Sequence, residues 1–258
     1  MTTAGAQAQT DTTPSFFSTF WRRADCVVAR RTLSSHLRSG WLWGEVAIVV
    51  ILYAAVFDYI GDKADPGYFY GFAGRSLGGL AILGTAIMAH RAFHERAYLP
   101  LARLTSRAAY LRGVALAAAV LRIALFCLLL ALFLWNHHLS PDGIGAMLSG
   151  GIGLLMTNLV LVALTLLLSP PIAVRWNQIV FLAWLVLAIF SYSYYGPLAS
   201  LLAIIHLPLL PIAVSSDLGT TGITGLSGLS ALLCEAAYCV VLLWTAQWLL
   251  MKRDLLLH

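Results

Sequence analysis

GVALAAAVLRIALFCLLLALFLW (113–135) is the run that decides the fold. Its twenty-three residues carry one charge, Arg122. As a helix rising about 1.5 Å per residue, it is long enough to cross a hydrocarbon core of about 30 Å. Further apolar runs lie near 42–60, 71–90, 147–169, 179–195 and 229–250, which makes six candidate spans. Composition agrees: 60% of the 258 residues are hydrophobic and 10% charged, against roughly 25% charged in an ordinary globular chain. A soluble protein is excluded, and the remaining polar sequence is too short for a soluble catalytic domain of ordinary size. The expected fold is an all-α membrane protein. Its parts are a disordered tail over 1–14, an interfacial connecting helix over 15–40 and a six-helix transmembrane domain over 41–258.

The basic residues orient these spans. Arg22, Arg23, Arg30, Arg31 and Arg38 precede the first; Arg91, Arg96, Arg103, Arg107 and Arg112 lie between the second and third; Arg175 separates the fourth and fifth; Lys252 and Arg253 follow the sixth. That places thirteen on one side, against Lys63 and Arg75 on the other. The positive-inside rule then puts both termini in the cytoplasm of a plasma-membrane protein. The net charge of +5 is read in the same way, as topology signal and headgroup contact rather than as a nucleic-acid footprint.

Residues 179–214 are almost uninterrupted apolar and too long for one crossing. Gly196, Pro197, Pro208 and Pro211 break the run, because proline lacks the helical N–H donor and disfavours helix in the residue before it. The charge bias keeps the C-terminus inside, so 197–214 is read as an outer-leaflet re-entrant hairpin between the fifth and sixth spans. Ahead of the first span, Phe16, Phe17, Phe20, Trp21, Ala24, Val27 and Val28 recur at helical spacing, while Arg22, Arg23, Asp25 and Arg30 face elsewhere. This pattern predicts an amphipathic helix in the membrane interface; a helix packed on protein has the same pattern.

The only lysines, Lys63 and Lys252, lie outside any Gly-Lys-Ser or Gly-Lys-Thr, so the chain has no phosphate loop. Gly74 to Gly78 matches G-x-S-x-G but lies at the mouth of a membrane helix, where a pair of small residues four apart serves close helix packing. His94-Glu95 lacks a second histidine at Tyr98, and His137-His138 reads as a pair of interfacial loop residues, so no metal site is assigned. Cys26, Cys127, Cys234 and Cys239 show no disulfide framework. Arg122 and Glu235 lie deepest among the ionisable residues and are candidate pathway or interior polar groups, whereas Glu45, Asp58 and Arg75 sit near enough to span ends to snorkel. Arg122 and Glu235 lie toward opposite ends of their spans, which argues against a direct pair.

Between the second and third spans the sequence is HRAFHERAYLPLARLTSRAAYLRG (90–113). This resembles the corresponding segment of ABC-2 type transporter permeases, in which a charged stretch leads to a leucine-rich patch, then Ser-Arg, an aromatic, Leu and Gly. The resemblance implies an ATPase-coupling turn built from Arg91, Phe93, Glu95, Arg96, Tyr98, Leu99, Arg103 and Arg107. It implies a separate cytoplasmic ATPase carrying ATP and Mg, a second permease copy or related permease, and export of a cargo by alternating access, with no cofactor on this chain. The family's Glu-rich, Gly-Thr sequence before the leucine patch is replaced here by Glu95-Arg-Ala-Tyr-Leu-Pro. A non-transporting membrane anchor or assembly subunit fits the same layout.

Overall fold

The computed structural model describes residues 24–56, 66–93, 106–136, 141–169, 172 and 225–252. All regular structure among them is helical, in six elements: α1 (Ala24–Arg38), α2 (Trp41–Val56), α3 (Pro66–Ala92), α4 (Arg107–Asn136), α5 (Pro141–Leu167) and α6 (Gly225–Lys252). The described residues thus form an all-α arrangement that includes helices long and apolar enough to cross a membrane. Five of the predicted spans fall on α2 to α6; the predicted fifth span at 179–195 and the hairpin at 197–214 lie outside the described residues.

Length and composition qualify three helices as membrane crossings: 107–135 in α4, 147–167 in α5 and 228–252 in α6. The sixteen residues of α2 rise about 24 Å. With twenty-seven residues, among them six glycines, α3 is long enough to cross.

The hub is α4, which packs against each of the other five helices and most extensively against α1. A large apolar core gathers α1 to α5 around it, including Val28, Phe69, Leu77, Tyr110, Phe126 and Phe133. The glycine face of α3 lets α5 approach closely. A Cβ built on Gly74 would lie 3.2 Å from Leu154 Cδ1, and one on Gly78 would lie 3.2 Å from Leu161 Cδ1. This is the small-residue packing face that the sequence offered. Next to α5 lies α6, which is mostly bare on its other side, where Leu233, Val240 and Trp244 are exposed.

Amphipathicity alone did not foretell the seat of α1. Its buried stripe is Cys26, Val28, Ala29, Thr32 and His36, while Val27, read from sequence as part of the apolar face, is 52% exposed. The stripe is covered by α4. Gly113 makes this contact close: a Cβ there would sit 2.6 Å from Val28 Cβ and 2.7 Å from the Asp25 carbonyl oxygen. Beside it, Asp25 accepts from Arg112 Nε at 3.2 Å, a largely exposed pair worth at most about 1 kcal/mol. The chain then bends by 72° between α1 and α2. Gly40 takes the bend with φ of +78°, a left-handed backbone that residues with a Cβ rarely adopt.

Candidate functional site: a buried charge cluster joining four helices

Arg122 lies on a face of α4 that is otherwise apolar, and it is 3% exposed. A guanidinium cannot be left unpaired in such a place, because the desolvation cost amounts to several kcal/mol. Its Nη2 donates to Glu45 Oε2 on α2 at 2.7 Å, and its Nη1 donates to the Leu80 carbonyl on α3 at 2.9 Å. Glu45 is 4% exposed, and its second oxygen, Oε1, lies 3.4 Å from His36 Nε2 on α1. His36 is itself 2% exposed. One carboxylate therefore pairs with the arginine and lies beside the histidine without a hydrogen bond between Oε1 and Nε2, and the cluster brings together α1, α2, α3 and α4.

Gly84 explains how a guanidinium reaches a helix backbone. Leu80 and Gly84 are four residues apart and so share one face of α3. A Cβ at Gly84 would overlap both the Glu45 carboxylate and the Arg122 guanidinium. Glycine opens the window through which Arg122 reaches the Leu80 carbonyl.

The sequence reading is corrected at Glu45. Its place four residues into α2 suggested a side chain snorkelling to the interface, but α1 folds back over that end of α2 and encloses it. His36 lies among Arg30, Arg31 and Arg38, where nothing in the sequence signals its burial. Glu235 is 1% exposed on α6, and the hydrogen bonds of Arg122 go to Glu45 and Leu80 instead. One turn after Glu235, the Cys239 thiol lies 3.7 Å from the Leu159 carbonyl on α5.

The predicted coupling residues divide into two groups. Glu95, Arg96, Tyr98, Leu99 and Arg103 lie outside the described residues, as do Phe16, Phe17, Phe20, Trp21, Arg22, Arg23, His137 and His138. Arg91 and Phe93 stand at the end of α3 and Arg107 begins α4. Phe93 is turned into the protein: its ring meets Tyr110 edge-on at 5.4 Å, and it packs against the cluster of Leu111, Ala246 and Leu250. Tyr110 also donates through its hydroxyl to the Ala92 carbonyl. The end of α3 and the start of α4 therefore form one fixed junction. Among the described residues no group of three His, Cys, Asp or Glu side chains could hold a metal ion. No family model, curated protein or solved structure matches the chain.

Proposed function

We propose that this chain is the permease subunit of an ABC-2 type transporter, with six spans, cytoplasmic termini and an outer-leaflet hairpin at 197–214. It moves a cargo outward with a separate ATPase and a second permease. The resemblance of 90–113 to that family supplies the class. The structural observation that carries the reading is the junction of Ala92, Phe93 and Tyr110. The described residues on either side of 94–105 meet at one packed point, and the buried cluster links the same helices to α1 and α2. Force applied to that segment is passed to packed helices rather than lost in slack chain.

The experiment is reconstitution of the permease with its ATPase, comparing wild type with Tyr98→Ala/Leu99→Ala. A docked aromatic or leucine can contribute about 2 kcal/mol or more to an interface. The double variant is expected to remain inserted while losing most ATPase binding and ATP-dependent flux. Phe93→Ala serves as the contrast: because Phe93 packs internally, its loss should lower thermal stability. Wild-type binding and flux in the double variant would reject the coupling role, and a complex that forms without any flux would favour the anchor.

A further inference from the structure

Beside the buried cluster, α1, α3 and α4 enclose a cleft of about 130 Å³ lined by Arg31, Thr32, Ser35, His36, Arg91 and Tyr110, with Met88 and Ala92 at its base. Arg31, Thr32, Ser35 and His36 follow one another at helical spacing and share a face of α1, and Arg91 approaches from the last turn of α3. The lining holds two guanidinium groups, two aliphatic hydroxyls and no carboxylate. Among the described residues the nearby acids are already engaged: Glu45, behind His36, pairs with Arg122, and Asp25 pairs with Arg112. The positive charge of Arg31 and Arg91 therefore faces the cleft without a countercharge among the described residues. His36 at its wall is 2% exposed, and its Nδ1 has no hydrogen-bond partner.

We propose that this cleft binds a phosphate group, held between Arg31 and Arg91 with Thr32 and Ser35 donating to its oxygens. Forked guanidinium donors suit a tetrahedral oxyanion, and hydroxyl donors complete its shell. Since one water needs only about 10–15 Å³ of such space, a cleft of about 130 Å³ admits a phosphate group. The elbow after α1 is followed by exposed Trp41 and Trp43, side chains typical of the headgroup level of a bilayer. A phosphate presented there can belong to an anionic phospholipid headgroup or be free in solution. The inference does not depend on the transport reading.

The test uses the full chain in phosphatidylcholine nanodiscs with and without phosphatidylglycerol, and in detergent with inorganic phosphate or acetate. Native mass spectrometry and thermal unfolding provide the readouts. Wild type is expected to retain phosphatidylglycerol and to be stabilised by it. Arg31→Gln/Arg91→Gln should lower retention roughly tenfold or more, as fits the loss of two charge-assisted contacts. Arg31→Lys/Arg91→Lys should recover part of it and shows that the glutamine variant fails through charge and not through misfolding. Arg30→Gln/Arg38→Gln removes the same charge outside the cleft and should lower retention far less than Arg31→Gln/Arg91→Gln. Stabilisation by inorganic phosphate, lost in the Arg31/Arg91 glutamine variant and without lipid retention, would identify free phosphate as the source. Equal protection by acetate, or a wild type and Arg31/Arg91 glutamine variant that respond alike to both phosphatidylglycerol and inorganic phosphate, overturns the site.

Discussion

Glu45 accepts from Arg122 and faces His36 where water does not reach, so its removal should affect the whole membrane domain. Glu45→Gln or Arg122→Met alone leaves a buried charge without its countercharge, at an expected cost of about 3–5 kcal/mol. The double variant Glu45→Gln/Arg122→Met removes both charges and should be markedly more stable than the sum of the two losses. Thermal unfolding of the four proteins in detergent checks this, and additive losses would mean that the pair is not coupled. Gly84→Ala should cost about 1–3 kcal/mol by the same measurement, since its Cβ intrudes on both charged groups. Arg122 was legible in the sequence as an interior group because one charge in a long apolar run has few other fates. Glu45 was not, because its burial depends on α1 returning over the start of α2, a tertiary event that distance from a span end cannot reveal.

For the helices, the contact of α1 with α4 depends on Gly113. Gly113→Leu should lift α1 from its seat, raising hydrogen exchange across Ala24–Arg38 by roughly tenfold or more while leaving α5 and α6 protected, as expected for a local opening. Unchanged protection of α1 would show that the crossing tolerates the added side chain. The amphipathic pattern located α1 but could not name its cover, since lipid and an apolar helix face satisfy the same stripe. The glycine pair on α3 was more informative, because small residues four apart have few uses in a membrane helix other than close approach. At the end of α3 the charges of the turn gave no sign that Phe93, read as a coupling residue, is half-buried and meets the Tyr110 ring.

For the molecule as a whole, the charge distribution sets the proposed orientation. Cysteines introduced at Asp65, Asp142 and Asp217 should react with an impermeant reagent from outside intact cells, and one at Arg103 should react only after permeabilisation. Outside labelling at Arg103 would reverse the orientation and remove the proposed ATPase dock from the cytoplasm. Apolar runs revealed the helical membrane class directly, whereas α2 and α3 draw part of their stability from buried polar bonds and glycine packing that hydropathy does not count. The wide sequence separation of Glu45 and Arg122, 77 residues, also has a consequence for biogenesis. At about 5–20 residues per second of synthesis, α2 leaves the ribosome roughly 4–15 s before its arginine partner exists. During that interval its carboxylate has no partner from α4, so α2 should linger at the insertion machinery until α4 arrives. Chains truncated ahead of Arg122 should accordingly be held there or degraded, making the pair a checkpoint on the order of assembly.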